Sequence, residues 1–597
     1  MTLEGLLRDV PYEILQAGGG ISQEVSGIYI DSRRVKAGGL FICLLGLSVD
    51  GHEFIDDVAR AGGLAVLVEK YCEQTTYVTN NQPGAVRELR TNPWIEGCGR
   101  IYPRPAGYTG AAQLRDSYPP GLTVIQVENT RQAMAIIAAN AYGRPAEKLS
   151  LIGVTGTNGK TTTTHFIEEV LRICGHKTGI IGTLGARIGT KPIDIPFATS
   201  TTPDPLELQQ IFAHMVERGV EYVVMEVSSH ALAFYKVEGL IFDVGVFTNL
   251  TQDHLDLHGT MDNYRLAKAL LFTQSRFAVV NAEDESTPVM LQHHGGGPYV
   301  TYGINGKAGL KALHIKHLVD GMTFDIGGGA IDDDGVLVSD AEIKENNTRK
   351  LLTSLRRGAP IISARYRLRR ATGRPNVMPP GQRAAYKTAA LGRTGSRYRI
   401  TLHTKAIFNI YNALATIGVC GWLGIPMNIL CKAVAKIQGV PGRIQNVPNN
   451  RGVHVLVDYA HTPDGVYNII TSVREFTTGR IVIIFGCGGD RDKGKRPIMG
   501  QIAGEHADYC ILTSDNPRTE DPHEIIAHIE EGTKPTGTPY EIIENRRDAI
   551  FAGVKMLSPG DALIIAGKGH EDYQIIGMEK QHFSDYETAL EALEQND

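Results

Sequence analysis

The chain lacks any CxxC pair, its eight cysteines being scattered over 597 residues, which argues against a structural zinc site or a disulfide framework. Reduced thiols in a cytoplasm are the simplest account, so a cytoplasmic location is the expectation. No uninterrupted apolar run approaches the length needed to span a bilayer, and no membrane insertion is expected. The opening MTLEGLLRDV has neither the basic start nor the long apolar stretch of a signal peptide. A surplus of one charge is missing as well: 60 Lys+Arg against 65 Asp+Glu leave a net charge of −5. That balance gives no reason to expect nucleic acid or an acidic membrane as a partner. The apolar and charged shares, 42% and 21%, are those of a globular chain. Its length exceeds what one hydrophobic core can serve, so three or four domains are expected.

One stretch carries the clearest chemistry. In Leu149–Thr164, LSLIGVTGTNGKTTTT, the apolar run Leu151, Ile152, Val154 reads as a buried strand. It breaks at Gly156-Thr157-Asn158-Gly159, and Lys160, Thr161 and Thr162 open an amphipathic helix running to about Arg172. Strand, glycine turn and helix start aim successive backbone N–H groups and a positive dipole end at one point, which suits a phosphate. Lys160 would reach the β/γ-phosphates of ATP, and the Thr161 hydroxyl would ligate Mg²⁺. Val154 stands where the usual GxxxxGK[ST] pattern has its first glycine. An ordinary glycine-rich βα turn is the competing reading.

Before this stretch, residues 1–148 read as a small α/β unit with strands at Gly27–Asp31, Leu40–Leu45 and Leu64–Val68. The Ser32-Arg33 turn and the loop GLSVDGH (Gly46–His52) could hold a polar anionic ligand or be plain connections. Residues 71–121, rich in Gly, Pro, Asn and Thr, read as a long surface insertion. A helix is expected over Thr130–Tyr142 with Thr130 as N-cap.

After it, Tyr222–Val227 (YVVMEV) reads as a buried strand with Glu226 near its C-terminal end, where ligands sit in open α/β sheets. Glu226 could order Mg²⁺ or serve a following helix N-terminus. His254 lies among Asp253, Asp256 and His258 directly after another strand, Asp243–Asn249. Metal or phosphate contact is favoured there over a structural role. Lys268, in an otherwise mostly apolar helical stretch, reads blandly as a snorkelling lysine. Between Thr348 and Arg399 stand fourteen Lys/Arg and no acidic residue. Such a one-signed block reads as a solvated, disordered insertion over about 327–397, with a nucleic-acid or anionic-lipid patch as the minority reading. From 439 to 597 a second βα series begins after the hinge-like Val440-Pro441-Gly442-Arg443 and reads as another doubly wound sheet. Three segments follow its strands: Gly488-Gly489-Asp490-Arg491, Asp515-Asn516-Pro517-Arg518 and Gly567-Lys568-Gly569-His570-Glu571. Arginine grips a carboxylate and Glu571 can pair with an ammonium, as an amino acid with two charged ends requires. Alternatively, GKGHE is a second phosphate loop.

Taken in order, TGTNGKTT, MEVSSHAL, FTNLTQDHLDLHG, NYRLAKALL, FNIYNALA, VPGRIQ and DYAHTP resemble the motif set of one family, the ATP-dependent Mur ligases of peptidoglycan synthesis. The resemblance covers most of the chain outside the two insertions. It implies an α/β protein of three domains. These are a small UDP-binding domain (1–148), a central P-loop ATPase-type domain with a parallel or mixed sheet (149–438) and a C-terminal Rossmann-like domain (439–597). It implies ATP and Mg²⁺, with Lys160, Glu226, His254 and Lys268 catalytic. Thr161, Glu226, His254 and a carbamylated Lys268 would hold metal, since carbamylation turns a cation into the oxygen ligand that Mg²⁺ requires. Asn409, Asn412, Arg443 and Asp458 would join Gly156–Thr162 in binding ATP. Ser32, Leu47, Ser48, Val49, Ser200, Thr201, Thr202, Ser228 and Lys236 would hold the UDP-linked substrate, and Arg491, Asp515, Asn516, Pro517, Arg518, Gly567 and Glu571 the incoming amino acid. In place of the family's SSHxLxQxRV the chain has SSHALAFYKV, so Phe234 replaces a glutamine and Lys236 an arginine. Lys236 keeps the charge and loses the two-pronged fork.

The implied reaction is amide ligation by a monomer acting on small molecules. ATP phosphorylates the D-glutamate side-chain carboxylate of UDP-N-acetylmuramoyl-L-alanyl-D-glutamate, and an amine displaces the phosphate. Asp-Asn-Pro-Arg is similar to the members that add meso-diaminopimelate, whose distal carboxylate lysine lacks. A lysine-adding ligase, a folylpolyglutamate-type synthase and an inactive nucleotide-binding paralogue are the rivals.

Overall fold

The computed structural model describes residues 1–46, 49–70, 117–196, 201–318, 321–327, 398–404, 406–437 and 439–595. The expected Leu47, Ser48 and Ser200 contacts, and nearly all of both insertions, lie outside the described residues. By its internal contacts the chain forms two compact units: 1–149 with 193–220 and 228–241, and 150–192 with 221–227 and 242–597.

The first unit holds β1 (Glu13–Gln16), β2 (Ile28–Tyr29), β3 (Leu40–Ile42), β4 (Ala65–Glu69) and β5 (Thr123–Val127). Their order is β1-β5-β4-β3-β2, with only the β1–β5 pair antiparallel. β3 and β5 are buried along their whole length, as strands covered on both faces must be. The helix after β5 runs Thr130–Ala141, and Asn129 rather than Thr130 is its N-cap. The Asn129 carboxamide oxygen accepts from the N–H groups of Arg131 and Gln132, while the Thr130 hydroxyl donates to Glu69 Oε2 at 3.0 Å. Both residue types cap well, and Glu69, distant in sequence, takes the threonine away. The helix Pro205–Glu217 also belongs to this unit.

The second unit contains two main sheets and, among the described residues, a two-stranded antiparallel ribbon of Tyr573–Ile576 with Glu579–His582. The larger comprises β6 (Ser150–Thr155), β7 (Thr178–Gly182), β8 (Gly185–Ile188), β9 (Lys191–Pro192), β10 (Tyr222–Glu226), β11 (Val244–Phe247), β12 (Ala278–Asn281), β13 (Tyr299–Gly303), β14 (Leu310–Leu318), β15 (Gly321–Gly327) and β16 (Tyr398–Leu402). Their order is β16-β15-β14-β13-β12-β11-β6-β10-β7-β8-β9, parallel from β14 to β7 and antiparallel at both ends. β6 lies between β10 and β11 with Val154 opposite both Glu226 and Val246. The C-terminal ends of these three strands therefore open at one level. At the far edge β15 and β16 form an antiparallel pair in which Ile326 faces Tyr398.

The smaller sheet comprises β17 (Gln445–Asn446), β18 (His454–Asp458), β19 (Ile481–Phe485), β20 (Tyr509–Leu512), β21 (Tyr540–Ile542) and β22 (Ala562–Ala566). It is ordered β17-β18-β22-β19-β20-β21 and is parallel except for β17. β19 and β22, at its centre, are wholly buried. The expected α/β class is what the chain adopts, with three main sheets.

Candidate active site

Gly156 and Gly159 make the glycine turn after β6. Gly156 has φ 153°, and a Cβ there would lie 1.8 Å from Thr248 Oγ1; Gly159 has φ 81°. Each conformation is open to glycine and strained for other residues. The next strand end clamps the turn: Thr157 N–H donates to the Asn249 carbonyl (2.8 Å), Asn158 N–H to Asn249 Oδ1 (2.9 Å), and the Thr248 hydroxyl to the Asn158 carbonyl (2.6 Å). The helix Lys160–Ile173 starts there, its dipole adding to the pull on an anion.

Two buried lysines meet this turn. Lys160 Nζ donates to the carbonyls of Gly156 (3.0 Å) and Thr157 (2.8 Å). Lys268 Nζ donates to Gly156 as well (2.8 Å) and sits 4.4 Å from the centre of the Tyr264 ring. Burial lowers the pKa of Lys160. Burial, reinforced by the Lys160 charge, holds Lys268 well below the usual lysine range. Lys268 is thus no snorkelling surface lysine, being 1% exposed.

Glu226, at the end of β10, accepts from the Thr161 hydroxyl (3.0 Å) and from Thr183 N–H (2.8 Å). Gly182 lets it approach, since a Cβ there would stand 2.2 Å from Glu226 Oε1. His254 has a left-handed backbone, φ 53°, and its Nε2 lies 3.4 Å from Asp253 Oδ2. His258 instead stacks on Tyr264, with centroids 4.9 Å apart, and is a core residue. Among the described residues no three His, Cys, Asp or Glu side chains converge as a metal cluster. The Thr161–Glu226 oxygen pair still suits Mg²⁺, which commonly takes one or two protein ligands and fills the rest with phosphate and water. Lys268 fits such a site only as a carbamate.

A cavity of about 370 Å³ adjoins the start of this helix, lined by Thr162, Phe166, His403, Thr404, Asn409, Arg443 and Phe476 among others. Asn409 Nδ2 donates to Thr404 Oγ1, Asn412 Nδ2 to Asn409 Oδ1, and the Thr163 hydroxyl to Asn412 Oδ1. These amides form a buried chain behind the glycine turn, not the helix-surface amides of an unaided reading. Arg443 donates to Thr161 Oγ1 at 3.0 Å and holds its guanidinium carbon 4.6 Å from the centre of the Tyr459 ring. Asp458 uses one carboxylate oxygen for Ile444 N–H and the other for Ala460 N–H. It therefore shapes the hinge turn that carries Arg443.

The three loops after β19, β20 and β22 are joined to one another. Gly489 N–H donates to the Asn516 carbonyl (2.9 Å), and Arg518 returns a bond to the Gly489 carbonyl (2.7 Å). Asn516 Nδ2 donates to Glu571 Oε2 (2.9 Å). Gly567 allows contact with Asp515, whose Oδ2 would be 2.6 Å from an added Cβ. Lys568 is wholly buried and donates to Asn516 Oδ1 and Glu571 Oε2. It thus has carboxylate and amide partners in place of a phosphate, which favours the amino-acid reading of GKGHE. Burial and the Asp515 charge raise the pKa of Glu571. Pro517 is buried, whereas Arg491 is exposed and donates to the Asp490 carbonyl.

Thr201, Thr202, Ser228 and Lys236 fall in the first unit with Ser32 and Val49. Thr202 Oγ1 accepts from Ser228 N–H (3.1 Å), and Lys236 pairs with Asp204 at 2.8 Å. The Phe234 ring lies under the Arg131 guanidinium, 4.8 Å away, and Arg131 also donates to the Leu45 carbonyl. Ser32 opens a short 3₁₀ turn capped by Asp31, and Val49 is half exposed.

Three residues near the phosphate turn, one of them bonded to it, carried no strong signal in the sequence. Asp464, at the start of the helix Pro463–Arg474, accepts from Asn158 Nδ2 at 2.7 Å. Lys495 Nζ lies 3.6 Å from Asp253 Oδ1, and burial lowers the His461 pKa to about 4. The one signal for these was position: His461 and Asp464 fall within or beside DYAHTP, and Lys495 follows GGDRD closely.

Comparisons with known proteins agree with this layout. Three family models match: Mur ligase family, catalytic domain, over residues 24–101; Mur ligase middle domain over 154–340; and Mur ligase, glutamate ligase domain, over 442–569. The chain is 36% identical, over the full length of both proteins, to a UDP-N-acetylmuramoyl-L-alanyl-D-glutamate--2,6-diaminopimelate ligase of Caldanaerobacter subterraneus subsp. tengcongensis. A solved structure of a ligase of the same name is 25% identical, with a TM-score of 0.57 over 100% of this chain and 99% of that one. The Thermotoga maritima MurF ligase in complex with ADP, 15% identical with a TM-score of 0.52 over 95% and 97%, shares the fold.

Proposed function

This chain belongs to the Mur ligase family of ATP-dependent enzymes of cell-wall synthesis, and on that premise we propose that it adds meso-2,6-diaminopimelate to UDP-N-acetylmuramoyl-L-alanyl-D-glutamate. The observation that carries the choice of amino acid is the joined loop set, in which Arg518 is held against Gly489 beside Asn516 and Glu571. An arginine there answers the distal carboxylate of diaminopimelate, whereas lysine would leave it unpaired.

The D-glutamate carboxylate attacks the γ-phosphorus of ATP, giving an acyl phosphate and ADP. The diaminopimelate amine then attacks the acyl carbon, and phosphate departs. The glycine turn and Lys160 cradle the phosphates, and Arg443 approaches from the hinge beside Thr161. Asn409 and the cavity around it receive the nucleoside. Thr161 and Glu226, with His254 and a carbamylated Lys268, would hold Mg²⁺, which supplies charge neutralisation on the phosphoryl oxygens. Positioning does much of the rest, because phosphoryl transfer asks little covalent chemistry of the protein. The first unit, with Ser32, Thr201, Thr202, Ser228 and Lys236, takes the UDP-linked substrate. A monomer in the cytoplasm is the setting this reading supposes.

The test is ADP release with diaminopimelate and lysine compared side by side. Turnover with diaminopimelate alone supports the reading, and preference for lysine makes the chain the lysine-adding member. No ADP with either amino acid leaves the inactive paralogue.

A further inference from the structure

Lys495 is the first residue of the helix Lys495–His506 and is 7% exposed. Among the described residues its ammonium makes no hydrogen bond, and the one carboxylate within 4 Å is that of Asp253, at 3.6 Å. Three circumstances make that position costly for a cation. It is desolvated; it stands at the positive end of a helix dipole; and that end has no side-chain cap and no acidic residue in its first turn. Asp253 offers only partial relief, since its Oδ1 also accepts from His254 N–H at 3.0 Å. An anion between Lys495 and the glycine turn would offset all three.

The surroundings say which anion. Asp253, the partner of Lys495, lies two residues beyond Thr251, whose N–H donates to Thr157 Oγ1 of the glycine turn at 3.0 Å. Lys160 belongs to the phosphate cradle, and Lys495, from the C-terminal part of the same unit, reaches the segment packed beside that cradle. The neighbouring helix Pro463–Arg474 touches that cradle too, through Asp464 and Asn158.

We propose that Lys495 binds the phosphoryl group during its transfer, which rests on the ligase reading above. As the substrate carboxylate oxygen bonds to the γ-phosphorus, the bond to the bridging oxygen breaks and its electron pair leaves with ADP. Lys495 pairs with the transferred group, now part of the acyl phosphate. When the neutral amine forms the C–N bond, the C–O bond to phosphate breaks, phosphate leaves with that electron pair, and the surplus amine proton passes to solvent. Lys495 stabilises the growing charge on the departing phosphate.

The experiment is a calorimetric titration of inorganic phosphate into the full chain with ADP and Mg²⁺ present. Lys495→Met should weaken phosphate binding at least tenfold and Lys495→Arg by less than threefold. In turnover assays Lys495→Met should lower kcat at least tenfold with the KM for diaminopimelate within threefold. Saturable phosphate binding that is unchanged in Lys495→Met, or absent from the wild type, overturns the proposal and leaves Lys495 as a counter-charge to Asp253. If Lys495→Met does not fold, the double variant with Asp253→Asn removes the uncompensated carboxylate, and wild-type phosphate affinity in it overturns the proposal equally. A wild type that binds phosphate but releases no ADP with either amino acid refutes the ligase reading and not the phosphate site.

Discussion

Replacing Arg518 by lysine tests the proposed two-pronged grip on a carboxylate. Arg518 has a left-handed backbone, φ 51°, held by its N–H on the Ile575 carbonyl (3.2 Å) and its own carbonyl on Gly577 N–H (2.8 Å). One guanidinium nitrogen is committed to the Gly489 carbonyl at 2.7 Å. The other nitrogens can meet a substrate carboxylate. Lysine keeps the charge, the backbone strain and a donor for Gly489, so the loops stay joined. What is lost is a charge-assisted pair worth about 1.5–3 kcal/mol, which is roughly ten- to a hundredfold in affinity. Steady-state ADP release with varied diaminopimelate should therefore show KM raised by that factor in Arg518→Lys, with kcat and the KM for ATP within about threefold. Lysine as substrate should lose little, so selectivity should fall in step. An unchanged KM for diaminopimelate, or an equal loss with both amino acids, would refute the assignment of Arg518 to the distal carboxylate.

Three further outcomes follow from the geometry. Gly182→Ala should lower kcat by roughly a hundredfold, because the added Cβ would stand 2.2 Å from Glu226 Oε1 and displacement of a positioned group is costly; single-turnover ADP formation checks it. Arg546 and Asp585 form a wholly buried pair at 2.7 Å, so Arg546→Met should destabilise the C-terminal part by about 3–5 kcal/mol. Adding Asp585→Asn should recover part of that loss in thermal unfolding. Glu520 is held down to about 2 chiefly by its hydrogen bonds from Arg496. Its contribution to stability is complete above its ordinary value near 4.5 and is lost as pH falls toward 2. Unfolding of Glu520→Gln should show lower stability at pH 7 and a shallower decline between about pH 5 and 2.

The glycine turn was readable because its cause is local: two positions that only glycine suits, between an apolar strand and a helix start. Glu226 was readable for a similar reason, since strand ends in a parallel sheet share one level. The Asn129 cap was not, because Glu69, which claims the Thr130 hydroxyl, is 61 residues away. Nor could spacing reveal that residues 193–220 and 228–241 pack with 1–149, bringing Thr202, Ser228 and Lys236 into the unit of Ser32. Nor did its motif reveal that each oxygen of Asp458 accepts from a backbone N–H group. Lys495 stayed hidden because its partner Asp253 comes from a different sheet, and a lone lysine after a glycine loop carries no distinguishing pattern.

The edge pair β15–β16 bears on how this protein tolerates added sequence. Ile326 and Tyr398 are paired neighbours, so the chain leaves and re-enters the sheet at one point across residues 328–397, seventy in all. Loop-closure entropy grows only with the logarithm of length. By that rule, closing any flexible chain of seventy residues costs about 2.5 kcal/mol more than closing a four-residue turn. None of the candidate site residues lies in that interval, and the hairpin is remote in strand order from β6. The Ile326–Tyr398 end of this pair is therefore where a reporter domain with adjacent termini would be inserted, at the opposite end of β16 from His403 and Thr404, which line the cavity.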